Sequence, residues 1–466
     1  MRALHLFFQL HRPYEIKTPE NFDQGYFGGE AEFRELERTE YQPFFALIER
    51  NTQRHAGLKI SLAVSGPWLE QAEKWSPALV RRLRKLVESG RVEILAQPHY
   101  HSLAAFYDKT EFAAQVELFQ KKVASSLGAK CQSLCLPELI YHDKISKWAD
   151  EQGFQALLAG DADQILDWRS ANYIYEVPGC EKVRVLFQNS ALSRAVRLGR
   201  HEVMTEGVRQ KVEPVAGSTI DDETKPVSKT KLTAAEFVRG MSGTSRPKST
   251  KFTVGQTETA VEADGVWTFS AKKLQKQLEI ACLRGNLINL CLDTGIFRDY
   301  REQGVVGMFD EFFASWLKVP GNKFVTISEA VALQEPRAVV GVKTTVNWRG
   351  EVKQCHEAGL VSAKEVRYCP PNWLRNPEQV QMQRELYGLR MAVLSSGDEA
   401  LALDFGKLTA MDYLLLYDSK INAPAVVASR VSALEITTLD NLKAALADFR
   451  ERVPILKLPE HTEDVL

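Results

Sequence analysis

An acid that follows a buried run and a proline invites a chemical reading, and Glu138 is such an acid. In Cys-Gln-Ser-Leu-Cys-Leu-Pro-Glu-Leu-Ile-Tyr-His-Asp-Lys-Ile, residues 131–145, positions 131–136 read as a short buried strand. Pro137 ends its ladder because it has no N–H to donate, so Glu138 falls where strand becomes loop. A second acid, Asp293, ends the apolar run Asn286-Leu-Ile-Asn-Leu-Cys-Leu-Asp293 in the same way. Two carboxylates on strand ends facing one cleft are the equipment of glycoside hydrolysis: one attacks the anomeric carbon or positions water, and the other protonates the leaving oxygen. Their surroundings must keep one ionised and one protonated. The plainer alternative for Glu138 is a carboxylate that favours the dipole of the following helix, which carries Ile145 and Trp148, worth about 0.3–1 kcal/mol.

Other polar residues stand at strand ends too. His11 closes the alternating run 3–10, and Gln97-Pro98-His99-Tyr100-His101 follows the strand from Val92 to Ala96. His99 and His101 fit either satisfied structural groups or donors to sugar hydroxyls. No Gly-x-Ser-x-Gly elbow occurs and no Walker or Rossmann glycine pattern follows a strand, which disfavours a serine hydrolase and a nucleotide enzyme. The seven cysteines are odd in number, and several lie in apolar runs, as reduced core thiols do. Cys131 and Cys135 are four apart with no second Cys/His pair after them, a poor zinc pattern. No metal and no cofactor are assigned.

The elements that must position these groups are legible in the periodicity. Strand signals at 3–10, 58–64, 92–96, 131–136, 154–158, 183–187, 286–293 and 324–327 alternate with helical stretches, and Ser328 is a plausible cap for the helix after the last. Strands alternating with helices call for a parallel sheet, and a count of about seven favours an α/β fold built on an incomplete (β/α)7 parallel barrel. In such a barrel the strand ends form a rim where catalytic side chains are mounted. Residues 1–333 are assigned to the barrel. Within them, 201–264 are rich in Thr, Ser, Lys, Pro and Gly and are read as a mobile insertion, since that composition cannot offset its ordering entropy. A linker at 334–351 leads to a C-terminal helical bundle domain, 352–466. Its apolar stripes include Met382, Leu386, Leu389 and Val393, then Leu439, Leu442, Leu446, Phe449 and Val453, with Pro370 to Trp373 and Tyr413 to Tyr417 as packing surfaces.

The 466 residues carry a net charge of −1, so no global field attracts nucleic acid or an anionic membrane, and a neutral substrate is the easier partner. The amino terminus reaches Gln9, His11 and Arg12 before a signal-length apolar run can form, and no stretch has the roughly 18 apolar residues of a membrane span. A cytoplasmic protein is expected.

These motifs together resemble glycoside hydrolase family 57, of the α-amylase and 4-α-glucanotransferase kind. The residues that carry the likeness are Phe8-Gln9-Leu10-His11-Arg12-Pro13-Tyr14, Gly90-Arg-Val-Glu-Ile-Leu-Ala96 leading to Tyr100-His101-Ser102-Leu103, and Pro137-Glu138-Leu139-Ile140-Tyr141. Gly160-Asp-Ala-Asp-Gln-Ile-Leu166, Trp168-Arg169-Ser170, Asn172-Tyr173-Ile174-Tyr175 and Asn289-Leu-Cys-Leu-Asp293 follow. The resemblance implies Glu138 as nucleophile and Asp293 as acid/base of a retaining mechanism on α-1,4-glucans, by hydrolysis or transglycosylation, with His11 binding sugar beside the cleaved bond. Around these positions His99, Tyr100, His101, Tyr141, Asp161, Trp168, Arg194 and Phe297 are candidate substrate contacts. Arg12 replaces the glutamine of the opening signature, Leu192-Ser193-Arg194-Ala195 stands where paired aspartates are common, and Thr294 to Asp299 replaces an acid-rich run. The alternative is a non-catalytic α-glucan-binding relative. A metal-dependent deacetylase on a similar barrel would need an Asp and two His converging on one ion.

Overall fold

The parallel strands of this protein read as nearly continuous apolar runs because both their faces are covered. In the computed structural model, which describes residues 2–160, 162–167, 169–197, 269–343, 345–347, 377–415 and 437–454, seven such strands follow one another around a curled sheet. They are β1 (Arg2–Leu10), β2 (Ile60–Val64), β3 (Val92–Ile94), β4 (Ser133–Cys135), β5 (Ala156–Ala159), β6 (Arg184–Phe187) and β7 (Leu287–Asp293). Parallel ladders join β1 to β2, β2 to β3, β4 to β5, β5 to β6 and β7 to β1. Between β3 and β4 the link narrows to one bridge, Ala96 with Leu134. Between β6 and β7 no ladder forms among the described residues; Asn189 N–H donates to the Asn289 carbonyl at 2.8 Å, and the Asn289 carboxamide donates to the Phe187 carbonyl at 2.8 Å. The ring is therefore an incomplete barrel.

Alternation along β1 divides the core in two. Ala3 and Phe7 point inward with Leu95, Cys135, Leu158, Leu186, Leu287 and Cys291, whereas Leu4, Leu6, Phe8 and Leu10 face the surrounding helices. His5 also lies on the inner face, its Nδ1 3.2 Å from Asn289 Oδ1, and burial lowers its pKa to about 4. Two further strands add to the ring's edges: Asn322–Val325 pairs parallel with the start of β1, and Ile174–Glu176 runs antiparallel to β6, with Val325 and Ile174 in the inner core. The last helix of the barrel, Ile327–Leu333, is capped by Thr326 in a reciprocal capping box with Glu329, not by Ser328. Ser328 sits in the first turn and gives both its N–H and its hydroxyl to Glu93.

The described helices after residue 376 are Pro377–Gly388, Arg390–Ser396, Glu399–Leu408, Asp412–Leu415 and Thr437–Arg452. They pack on the barrel through polar as well as apolar contacts. Buried Arg390 bonds Glu111 at 2.7 Å and Asp108 at 3.4 Å, Gln115 donates to Thr409, and Tyr413 donates to the Tyr14 carbonyl at 2.8 Å. A Cβ on Gly406 would fall 2.2 Å from the Tyr100 ring, so this helix approaches the barrel rim more closely than any larger residue allows. Residues 201–264, Pro370 to Trp373 and Tyr417 lie outside the described residues. Cys131, Cys135 and Cys291 are buried free thiols. Among the described residues no helix is long and apolar enough to cross a membrane.

Candidate active site

The carboxyl ends of β1, β3, β4 and β7 carry the residues singled out by their chemistry. Asp293 is the last residue of β7 and pairs in register with Gln9 of β1. Leu287 and Cys291, six and two residues back, line the inner core, so the period of two turns Asp293 toward the mouth of the ring. Its Oδ1 accepts the Gly295 N–H at 2.9 Å, which fixes the start of the loop. Glu138 lies past the end of β4 within the turn Pro137–Leu139, at φ 54° and ψ 24°. Counting around the ring, β4 and β7 are separated by β5 and β6 on one side and by β3, β2 and β1 on the other. Glu138 and Asp293 thus stand on opposite walls, both half-buried.

Left-handed backbone in a residue other than glycine costs about 1 kcal/mol or more and persists where the surroundings over-determine it. Among the described residues four show it, His101, Glu138, Leu139 and Asp167, and the first three sit in loops after β3 and β4. The turn at Glu138 is held by Leu139 N–H on the Leu136 carbonyl at 3.0 Å, and by Gly160 N–H on the Leu139 carbonyl at 2.8 Å.

The histidines form two carboxylate-bound groups. His11 Nε2 is 2.8 Å and His101 Nδ1 3.1 Å from the same oxygen, Asp412 Oδ2, and the two imidazoles stack with centroids 3.7 Å apart. Gln9 Nε2 lies 2.9 Å from His101 Nε2, linking this cluster to the strand pair that carries Asp293. Burial disfavours the Asp412 carboxylate, but the two imidazoles outweigh it and hold its carboxyl well below the usual range. Burial lowers His11 to about 4, its contact with Asp412 acting in the opposite sense. In the second group His99 Nε2 is 2.8 Å from Glu70 Oε1, and Tyr14 donates to Glu70 Oε2 at 2.5 Å. Burial raises the Glu70 pKa, yet the bonds from His99 and Tyr14 bring it below its ordinary value. A Cβ on Gly66 would meet the His99 ring at 2.4 Å, so glycine is required where the two loops touch.

Not every sequence candidate reaches the mouth. Tyr141 is 0% exposed and its hydroxyl is spent on Ser146 and Asp143; Phe297 is also 0% exposed, packed 5.5 Å from Phe44 and 5.7 Å from Phe309. Neither ring offers a surface to a sugar. They are corrected to packing residues, because nearness to a strand end does not say which face a side chain takes. Arg194 is exposed on the helix Ser190–Arg197, and Tyr100 is buried against Gly406. Arg12 forms an ion pair with Glu32. Asp161 and Trp168 lie outside the described residues. Asp412 and Glu70 were missed by sequence reasoning: each reads as an ordinary helical acid, and their histidine partners are 311 to 401 and 29 residues away.

A candidate alpha-amylase of Methanocaldococcus jannaschii is 32% identical over 136 residues, 29% of this chain and 29% of its own. The 4-alpha-glucanotransferase of Thermococcus litoralis is 27% identical over 129 residues, 28% of this chain and 19% of its own. These matches therefore span less than a third of either relative. In fold, the branching enzyme of Pyrococcus horikoshii superposes with a TM-score of 0.60 at 13% identity, covering 96% of this chain and 88% of its own. The model of glycosyl hydrolase family 57 matches residues 5–343, so the chain belongs to that family.

Proposed function

We propose that this protein acts on α-1,4-glucans by a retaining double displacement, with Glu138 as nucleophile and Asp293 as acid/base. The observation that carries this reading is the placement of the two carboxylates at strand ends on opposite walls of one ring, Glu138 in left-handed backbone and Asp293 on the inward face. The names borne by its relatives, alpha-amylase and 4-alpha-glucanotransferase, point to the same substrate class. In the first step the Glu138 carboxylate attacks the anomeric carbon while Asp293 gives its proton to the departing glycosidic oxygen. In the second, Asp293 takes the proton of a water or of a glucan hydroxyl, whose oxygen displaces Glu138. Water gives hydrolysis and a sugar hydroxyl gives transfer. In this reading His11, bonded to Asp412 at the end of β1 and partly exposed, contributes a sugar contact at that end of the cleft, and buried His101 supports it by stacking on its ring.

Incubating the full chain with maltoheptaose and resolving products by chromatography tests this. Shorter oligosaccharides, with longer ones as well if transfer competes, are expected from the native protein and none from a folded Glu138→Gln variant. No products from native protein that still binds the oligosaccharide would favour a glucan-binding role instead.

A further inference from the structure

We infer that Glu40 is a positioning residue for proton transfer: through Thr294 and Arg298 it fixes the turn that begins at Asp293, and with it the place of that carboxyl at the glycosidic oxygen. The inference rests on the proposed role of Asp293 as acid/base. Strand alternation, which turns Asp293 inward, turns Thr294 outward to the helices around the ring. There the Thr294 hydroxyl donates to Glu40 Oε1 at 2.6 Å, while its N–H donates to the Gln9 carbonyl at 3.0 Å and prolongs the ladder of β1 and β7. Further along the turn, Arg298 Nη1 lies 3.3 Å from Glu40 Oε2. One carboxylate therefore holds both ends of 294–298. Within that span Phe297 N–H donates to the Thr294 carbonyl at 3.0 Å, and Gly295 N–H orients the acid through Asp293 Oδ1 at 2.9 Å.

Glu40 occupies a place that periodicity reserves for an apolar residue. It stands between Leu36 and Phe44 on the buried face of the helical stretch 30–54 and is 4% exposed. An apolar side chain there would avoid the desolvation of a carboxylate, so the acid is explained by what it binds rather than by packing. The backbone is shaped to deliver it. Glu37–Tyr41 forms a single π turn, with the Gln42 N–H on the Glu37 carbonyl, between the α-helices Glu30–Leu36 and Gln42–Arg54. Turns of this kind inside α-helices recur at functional sites. The widened turn buries Glu40 and Tyr41 side by side and packs against the helix Ile296–Asp299. Misplacing a reacting group by about 1 Å costs on the order of 100-fold in rate, so a turn held at both ends matters to the acid it carries.

The full chain and its Glu40→Gln, Thr294→Val, Thr294→Ser and Asp293→Asn variants are compared by kcat/KM, which reports the first displacement. The substrates are maltoheptaose and an activated aryl maltoside, whose leaving group scarcely needs a proton. Glu40→Gln keeps the side-chain shape and leaves Arg298 paired with Asp299 at 2.7 Å. It and Thr294→Val should lower kcat/KM on maltoheptaose about 10–100-fold and on the aryl maltoside less than about threefold, whereas Thr294→Ser, which keeps the hydroxyl, should retain the native ratio between the two. Equal losses on both substrates, or a native ratio in Glu40→Gln, would mean that Glu40 only supports the fold and would overturn the inference. Should Glu40→Gln fail to fold, the Thr294 pair decides. The Asp293→Asn variant separates the two levels of the argument. If it discriminates between the substrates and Glu40→Gln and Thr294→Val do not, the role of Glu40 alone falls; if it does not discriminate, or the native chain is inactive, the assignment of Asp293 falls and this inference with it.

Discussion

Asp293 and Glu138 differ in what a substitution should reveal. A general acid matters in proportion to the leaving group's need for a proton, so Asp293→Asn should slow cleavage of maltooligosaccharides by about 10²–10⁴-fold and spare activated aryl maltosides. Equal losses on both substrates would show that Asp293 is not the acid and would move suspicion to Asp299 or His101. The two acids were legible in the sequence because each ends an apolar run, and the polar cluster at 97–101 because it follows one. Their partners were not. His11 meets Asp412 across 401 residues and no local pattern marks that acid, while Tyr141 and Phe297 stand beside strand ends yet turn into the core.

At the scale of elements, the contact between Arg390 and Glu111 ties the helix Arg390–Ser396 to the helix Lys109–Leu127, with both side chains buried. Removing one partner leaves the other charge uncompensated. Arg390→Met should therefore cost about 3–5 kcal/mol in urea denaturation, and adding Glu111→Gln should recover most of it. Additive losses would mean that the charges do not depend on each other. His142 gives a test by pH. It caps the helix Asp143–Glu151, its Nδ1 accepting the Lys144 N–H at 3.1 Å, and burial lowers its pKa from 6.5 to about 3. The unfolded chain then binds the proton more readily, so this contribution is complete above pH 6.5 and fades as pH falls toward about 3. Asn also caps, and His142→Asn should reduce the loss of stability between pH 7 and pH 4.5 by about 2–3 kcal/mol. An unchanged pH slope would count against a buried neutral imidazole; His5 adds a loss in the same direction and keeps some slope in the variant. The main strands were readable because burial on both faces makes unbroken apolar runs. Pairs as short as Glu15–Ile16 with Phe27–Gly28 hold too few residues to show a period, and their pairing depends on tertiary contacts.

Across the whole molecule, the barrel and the helices after residue 376 share buried charges, the Asp412 cluster and a close approach at Gly406. A chain ending at Gln334 would strand Glu111 and expose the apolar surface beneath those helices. It should be insoluble or lack cooperative unfolding; recovery of a soluble, cooperatively folding barrel would refute this dependence. The incomplete barrel with a helical carboxyl-terminal region is the fold that its alternating strands and helices call for. The proposed reaction passes through a glycosyl bond formed on Glu138. That is measured most directly by treating the Asp293→Asn variant with a maltosyl fluoride, which needs little acid help to react but leaves the second step without its base, and then weighing the proteolytic peptide that contains Glu138. A mass increase equal to the maltosyl group, located on Glu138 by fragmentation, is the predicted result; no increase, or an increase on a different residue, would contradict it.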